Sequence, residues 1–269
     1  MVKTLRLVIF FTGITIVFFT LSGLSLADTI PDPCNGLLNL VNRPTKSDSP
    51  CVVRSKQAVL EVGYQYLNLH GGGSAQNFPE AEIRIGLPLG NEVIAVPPNY
   101  NHQTIRPRAG YNATVVGFKH GFGYNAHWVG SIEALLGLPN GGSAFGSNQY
   151  QPLINGIVQY TFNPALSLTF MLGVGSQSIP PSAGGQSYFT VNPDLVLTWQ
   201  VNDKLQTFGE VYGQSKTAPG KGAGFNMGAG VLFLLRPYLE VDAELGQRIS
   251  GKLQGFNNFF GVGMSVLFS

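Results

Sequence analysis

Charged residues are scarce in this chain of 269 residues. Asp, Glu, Lys and Arg make up 11% of it, against roughly 25% in typical soluble domains. Disordered chains carry many charges and few aromatic residues, whereas aromatic residues reach 11% here. A cytosolic enzyme would need more surface charge to stay soluble. The 16 bases and 14 acids form no dense basic run, so a nucleic-acid partner is not expected either.

The first 27 residues are typical of an export signal. Lys3 and Arg6 precede an uncharged apolar stretch over residues 7–26, and Ser25-Leu26-Ala27 ends it with small residues at the two positions that a signal peptidase reads. We expect residues 1–27 to be a signal peptide that is cleaved after Ala27. The alternative is a retained membrane helix, because about 20 apolar residues can just span a bilayer.

Cysteine is scarce as well, since the chain has only Cys34 and Cys51. Two cysteines cannot build a zinc cluster, and we expect no metal and no cofactor. An isolated pair in an exported chain predicts a Cys34–Cys51 disulfide, which would stabilise its loop by roughly 3 kcal/mol. The alternative is two free thiols in a mobile tail. Prolines mark residues 28–56 as an N-terminal extension, with room for one helical turn around Leu37 to Val41.

From about residue 57 the apolar residues alternate with polar or small ones, and no amphipathic helix of useful length occurs. Leu60, Val62 and Tyr64, for example, alternate with Glu61 and Gly63. The pattern recurs in about twelve segments, although it is weak near 92–97 and 205–214. Short turns alternate with long loops such as 70–76 and 97–110. Such a pattern is typical of outer-membrane barrels, in which closure pairs every backbone group.

These features predict an all-β fold: a closed antiparallel transmembrane β-barrel of about 12 strands over residues 57–269. The alternative is a soluble sandwich or lipocalin-like barrel whose apolar faces point inward. Strands of about 10 residues suit a bilayer, and aromatic residues bound the apolar faces at both ends, as lipid–water interfaces select. They are Trp128, Tyr160, Phe162, Trp199, Phe233 and Tyr238 beside the short turns, and Tyr66, Phe189, Phe225 and Phe260 towards the long loops.

The last strand ends in Phe268, with only Ser269 after it. A terminal aromatic residue on an amphipathic last strand is similar to the signal by which bacterial barrels are recognised for insertion. We therefore expect the barrel-assembly machinery and outer-membrane lipid as partners. The expected location is the bacterial outer membrane, with both termini on the periplasmic side.

Two short motifs resemble a known family. Val115-Val116-Gly117-Phe118-Lys119 resembles a strand of the outer-membrane proteins associated with the meta-cleavage pathway of phenol degradation. The stretch from Trp128 to Leu138-Pro139-Asn140-Gly141 resembles the strand that follows it there, although that family usually has Thr where Asn140 stands. The resemblance implies an outer-membrane barrel that passes small hydrophobic or aromatic compounds, and it supplies no catalytic residue.

Charge placement predicts an acidic lumen beneath a basic outer rim. The polar strand faces would direct ten charged side chains to the lumen: Glu61, Glu82, Arg84, Lys119, Glu133, Asp194, Glu210, Glu240, Asp242 and Glu244. The long loops contribute the bases Arg106, Arg108, Lys216, Lys221, Arg248 and Lys252. Such a lumen would favour cations or zwitterions, and the rim would bind lipopolysaccharide phosphates. The alternative is that the carboxylates are protonated, or paired with Arg84 and Lys119 in a packed interior.

The extension allows two hypotheses. Residues 43–56 contain four bases, Arg43, Lys46, Arg54 and Lys56, and one acid, Asp48. This basic stretch could therefore enter the acidic lumen as a plug. It could instead form a stapled handle on the periplasmic side.

The function predicted from the sequence is passive passage of small molecules through an outer-membrane channel, without covalent chemistry. The solute is not specified. One alternative is a surface-binding or structural protein that uses the basic loops. Another is an outer-membrane lipid hydrolase, a class that also has about twelve strands, although no motif of that class is present.

Overall fold

The computed structural model describes residues 33–123, 125 and 127–269, so the predicted signal peptide lies outside the described residues. In this part of the chain there is one short α-helix, α1 (Leu37–Leu40), and no helix is long and apolar enough to cross a membrane. The strands of the single sheet are β1 (Ala58–Leu69), β2 (Ser74–Phe78), β3 (Glu82–Leu87), β4 (Asn91–Val96), β5 (Tyr100–Gln103), β6 (Ala109–Tyr111), β7 (Val115–Phe122), β8 (Trp128–Gly137), β9 (Gln151–Asn163), β10 (Leu166–Ser178), β11 (Ser187–Asn202), β12 (Leu205–Gln214), β13 (Gly224–Arg236), β14 (Leu239–Ser250) and β15 (Phe256–Phe268). Two 3-10 turns, Pro181–Ala183 and Leu253–Gly255, lie in long loops.

The sheet closes on itself. β1 pairs antiparallel with β15, from Ala58 opposite Phe268 to Leu69 opposite Phe256. On its other side β1 pairs with β3 through one half of its length and with β2 through the other half. β4 and β5 likewise share one wall position, as do β7 and β6. The fifteen segments therefore form twelve wall strands, which confirms the predicted closed antiparallel barrel.

The apolar faces of the strands point outward. In β10, Phe170, Leu172 and Val174 are exposed, whereas the alternate residues Thr169 and Met171 are buried. The same alternation extends through the wall strands and leaves an apolar outer band, which would be an aggregation surface in water and is stable against hydrocarbon. The outward orientation argues against the soluble alternative.

Aromatic side chains cluster where the outer band meets the short turns. The ring centroids of Trp128 and Tyr160 are 4.6 Å apart, and those of Tyr160 and Phe162 are 5.0 Å apart. Trp199 and Tyr238 are exposed near the same end. Rings at this level match the aromatic girdle of membrane barrels.

Some boundaries differ from the prediction. The segment 97–110, expected as one long loop, contains β5 and the first residues of β6, and β2 begins at Ser74 inside the loop expected over 70–76. Proline cannot donate to a β-ladder, so the prolines at 79, 97 and 98 interrupt the ladder, and the wall strands resume beyond them. The weakly alternating segments near 92–97 and 205–214 form β4 and β12.

The predicted disulfide is confirmed. Cys34 and Cys51 are bonded, with their Cα atoms 5.4 Å apart, and no described cysteine is free. The helical turn expected around Leu37 is present as α1. The disulfide thus closes a loop that contains α1.

Candidate functional site

The extension lies inside the barrel, and inward-facing glycines make room for it. Gly63 of β1 and Gly263 of β15 are direct partners in the sheet. A Cβ at either position would overlap the guanidinium group of Arg43, and a Cβ at Gly86 would overlap the backbone of Arg54. Residues 33–56, called here the lumen segment, therefore fill space that the wall leaves open, rather than forming a handle beyond the end of the barrel.

Arg84 binds the lumen segment from the wall. Its side chain is fully buried on β3. Its Nη2 donates to the carbonyl oxygen of Cys51 at 3.0 Å, and its Nη1 donates to the carbonyl oxygen of Leu40. Its Nε also lies 2.9 Å from Oε1 of Glu92. One buried guanidinium group thus binds the backbone at two separate places in the disulfide-closed loop, at Leu40 and at Cys51.

Buried carboxylates bind the backbone of the same segment. Glu61 accepts hydrogen bonds from the backbone N–H groups of Asn42 at 3.0 Å and Arg43 at 2.7 Å. Glu92 accepts one from the N–H group of Val53 at 2.7 Å. Both glutamates are fully buried, and hydrogen bonds to a charged acceptor are stronger than those between neutral groups.

A second group of contacts lies further around the wall. Glu210 of β12 accepts hydrogen bonds from the N–H groups of Lys46 at 2.6 Å and Ser47 at 3.0 Å. The ammonium group of Lys46 lies over the ring of Phe259, 5.4 Å from its centroid. Burial alone would lower the pKa of Lys46, but carboxylates led by Glu244 outweigh it, so its pKa lies above its ordinary value.

Arg43 and Lys119 complete the charged contacts. Arg43 pairs with Glu80 at 3.0 Å and with Asp242 at 3.4 Å. Lys119 of β7 pairs with Glu133 at 3.2 Å and donates to the carbonyl oxygen of Ser49 at 3.1 Å. Paired charges of this kind are the usual way in which proteins hold ionised groups away from water.

Asp48 brings a further carboxyl group close to Glu133 and Lys119. Burial and the neighbouring Glu133 raise the pKa of Asp48 well above its ordinary value, although Lys119 opposes the rise. Asp48 therefore keeps its proton at pH values where a free aspartate is ionised.

The lumen segment also makes apolar contacts with the wall. Leu38 and Val41 pack against Val196, Phe208 and Leu232, which face inward from β11, β12 and β13. These contacts are apolar and not directional. The segment is thus hydrogen-bonded to β1, β3, β4, β7 and β12, and it also packs by apolar contacts against β11 to β13.

The sequence comparison decides the family. The family model described as "Putative MetA-pathway of phenol degradation" matches residues 41–268. The chain belongs to this family. The match begins inside the lumen segment and ends at the last residue of β15, so it covers nearly all of the barrel. No curated relative matches the chain.

Solved structures share the fold of this family member. A COG4313 outer membrane channel from Pseudomonas putida F1 is 8% identical, with a TM-score of 0.64 over 84% of this chain and 100% of that one. The NanC porin is 12% identical, with a TM-score of 0.53 over 78% of this chain and 98% of that one. The KdgM porin is 11% identical, with a TM-score of 0.53 over 78% and 99%. At these identities the likeness concerns the fold.

The ten charged residues predicted to face the lumen all occupy inward positions. Nine of them are buried, and Glu82 is half-buried and accepts a hydrogen bond from Asn42 at 2.7 Å. Both carboxylate oxygens of Glu240 are buried without a hydrogen-bond partner among the described residues. The structure brings Glu61, Glu82, Arg84, Lys119 and Glu133 together around one side of the lumen segment, while the other carboxylates follow β11, β12 and β14.

The basic residues predicted for the rim lie at the long-loop end. Five are exposed in loops: Arg106, Arg108, Lys216, Lys221 and Lys252. Arg248 is half-buried near the end of β14 and donates to the carbonyl oxygen of Gly251 at 3.1 Å. No loop at this end contains an acid.

Sequence reasoning missed Glu92 and Glu80. Glu92 stands in Asn91–Val96, where Ile94 faces inward and Val93 outward, so apolar residues on both faces hide the alternation. Glu80 alternates with Ala81 in the sequence, but it lies between β2 and β3 rather than in a strand, and it was not included among the predicted lumen residues. A single glutamate within an apolar strand is the signal that could have identified Glu92, because such a charge requires a partner when buried.

Proposed function

We propose that this protein is a bacterial outer-membrane channel that passes small molecules passively and whose lumen is occupied by its own N-terminal segment at rest. The observation that carries the proposal is that the lumen segment occupies space that the wall leaves open and is held there by noncovalent contacts. The structural neighbours are an outer membrane channel and two porins, and the family description refers to phenol degradation. Both support a small-molecule channel, with aromatic compounds as candidate solutes.

The way in which the lumen is filled supports transport over a purely structural role. Eight-stranded barrels are filled by their wall side chains, whereas sixteen-stranded ones conduct water. Here inward glycines at 63, 86 and 263 leave the wall thin where the lumen segment lies. In a barrel with a purely structural role, the side chains of the wall would fill the interior. A separate N-terminal segment inside the barrel instead favours a channel that opens when this segment is displaced.

Displacement of the lumen segment would expose an acidic wall. Ten inward carboxylates would then face only Arg84 and Lys119 at the level of the segment: Glu61, Glu80, Glu82, Glu92, Glu133, Asp194, Glu210, Glu240, Asp242 and Glu244. A low-dielectric pore lined by one sign of charge concentrates ions of the opposite sign. The unoccupied pore would therefore prefer cations.

Liposome swelling tests the channel directly. Arabinose is the osmolyte, and the mature chain from Asp28 is compared with a chain that lacks residues 28–56. We expect at least tenfold faster swelling after the deletion. A double variant, Glu61→Gln with Glu92→Gln, weakens the same attachment without shortening the chain and should also accelerate swelling. Equal, slow swelling for all three folded proteins would overturn the proposal.

The basic rim supports a second proposal, that the long-loop end binds lipopolysaccharide phosphates. Lys and Arg form charge-assisted hydrogen bonds with phosphate, and the loops carry no competing acid. Replacing Arg106, Arg108 and Lys252 by Gln should weaken lipopolysaccharide co-purification and increase its loss in high salt. Unchanged binding at every salt concentration would contradict this role.

A further inference from the structure

A crevice of about 370 Å³ lies at the short-turn end of the barrel, beside the disulfide-closed loop. One side is the start of the lumen segment, residues 33–39, and the other side is the inner face of β9 to β12. A cavity of about 60 Å³ continues it along the segment towards Thr169 and Phe208. The crevice lies beside the apolar contacts that Leu38 makes with the wall.

The crevice wall is polar but almost uncharged. Its strand side chains are the amides and hydroxyls of Gln159, Thr161, Ser167, Thr198, Gln200 and Gln206. Among the described lining residues only Asp203, in the turn at its edge, is ionisable. This lining contrasts with the opposite wall, where Arg84, Lys119 and the glutamates bind the segment.

One buried hydroxyl group in the crevice lacks a partner. Thr161 is 8% exposed, and its Oγ1 atom has no hydrogen-bond partner within the described part of the chain. Its neighbours are paired: Thr169 donates to Gln159 at 3.1 Å, and Gln206 donates to Gln200 at 2.9 Å. Because buried polar groups are nearly always hydrogen-bonded, the free hydroxyl indicates a place for a ligand with its own donor or acceptor.

We propose that this crevice is a binding site for an uncharged, hydroxyl-bearing ring compound at the short-turn end of the pathway. The inference rests on the proposed channel function and names the solute class. Amides and hydroxyls can pair with the hydroxyl groups of a solute, and Leu38, Leu166 and Leu234 offer apolar contact to its ring. A carboxylate there would lose water without gaining a cation, which is costly. The volume is at the lower end of that of small-molecule sites.

A matched pair of ligands tests the inference. Phenyl β-glucoside and phenyl β-glucuronide differ mainly by a hydroxymethyl group in place of a carboxylate. Their binding to the mature chain from Asp28 is measured by calorimetry in an amine-oxide detergent, whose head group carries no sugar. We expect the glucoside to bind at least tenfold more tightly. Equal affinity, tighter binding of the glucuronide, or no binding of either would overturn the inference.

Variants of the crevice locate the binding. Thr161→Val should weaken glucoside binding about fivefold, the usual effect of one hydrogen bond. The control Thr207→Val lies on the outward face of β12 and should change nothing. Gln159→Lys adds a cation and should reverse the preference in favour of the glucuronide. If the affinity for the glucoside is the same in both crevice variants as in the wild type, the ligand binds elsewhere, which would contradict the inference.

Three further outcomes separate this inference from the channel proposal. If only a chain that begins at Pro33 binds the glucoside, the protein's own N-terminus occupies the crevice and the inference fails. Fast swelling after deletion of residues 28–56 without glucoside binding by the mature chain would likewise overturn the inference alone. Glucoside binding with no swelling by any variant would support the site and overturn the channel.

Discussion

The guanidinium group of Arg84 donates to the backbone carbonyl oxygen of Cys51 across 3.0 Å, and both residues are buried. Arg84 belongs to the barrel wall and Cys51 to the disulfide of the lumen segment. This hydrogen bond therefore joins the covalently closed part of the segment to the part of the wall richest in charge. Because hydrogen bonds from a charged donor are stronger than those between neutral groups, we expect this contact to contribute to the attachment of the segment.

Replacing Arg84 by Gln should loosen the lumen segment. The change leaves Glu92 and Glu61 buried without their main cation, and breaking a buried pair on one side costs about 3–5 kcal/mol. We expect faster arabinose swelling and a lower temperature for loss of the folded band on an unboiled gel. Arg236→Gln, at an exposed position beside a short turn, is the control. A variant of Arg84 with unaltered swelling would show that this side chain does not retain the segment.

A side chain at Gly86 should displace the lumen segment without removing any polar contact. A Cβ there would overlap the backbone of Arg54, whereas a Cβ at Gly209 meets nothing within 4 Å. Gly86→Ala should therefore increase swelling, and Gly209→Ala should leave it unchanged. Swelling rates that match for the two variants would mean that the segment does not press against this strand.

Reduction of the disulfide should expose the lumen segment to protease. Opening the loop between Cys34 and Cys51 removes roughly 3 kcal/mol of stabilisation from it. These are the only cysteines in the chain, so any effect of reductant on a Cys34→Ser, Cys51→Ser variant is unrelated to them. We expect trypsin to cleave after Lys46 faster once the disulfide is reduced; Arg43 precedes Pro44 and is not a trypsin site. Cleavage at the same rate before and after would contradict a stabilising role.

Asp48 should make the attachment depend on pH. The pKa of Asp48 is raised in the folded state. Its contribution to stability is therefore fully present below about pH 4, the ordinary pKa of an aspartate, and is lost as the pH rises through the raised pKa of the folded state. Ionised Asp48 then meets Glu133, with Glu82 nearby and only Lys119 opposing. Swelling by the wild type should therefore increase with pH. Asp48→Asn should flatten this dependence, and a variant that keeps the full pH dependence would exclude Asp48 as its source.

The wall could be predicted from the sequence because its signal is local. A residue such as Glu133 faces inward whenever its neighbours Ile132 and Ala134 face lipid, and this depends only on the period of two in a strand. The bases of the long loops likewise predicted a basic rim at that end of the barrel. Both inferences require the neighbouring residues and nothing further.

The position of the lumen segment could not be predicted in this way. Its contacts join residues far apart in sequence, such as Lys46 with Glu210 and Arg43 with Asp242. The basic residues of the extension were compatible with a plug and with a handle, because charge complementarity to the lumen does not specify where the backbone of the extension runs. The inward glycines, such as Gly63 and Gly263, carried the missing information, since they mark where the wall leaves room.

Single-channel recording in planar bilayers under a salt gradient measures directly whether the lumen segment closes the channel. We expect small, infrequent conductance for the mature chain. We expect a larger, steady and cation-selective conductance for the chain that lacks residues 28–56, because the deletion opens a lumen lined by carboxylates. Equal conductance for the two proteins, or anion selectivity after the deletion, would show that the segment does not close a cation-selective channel.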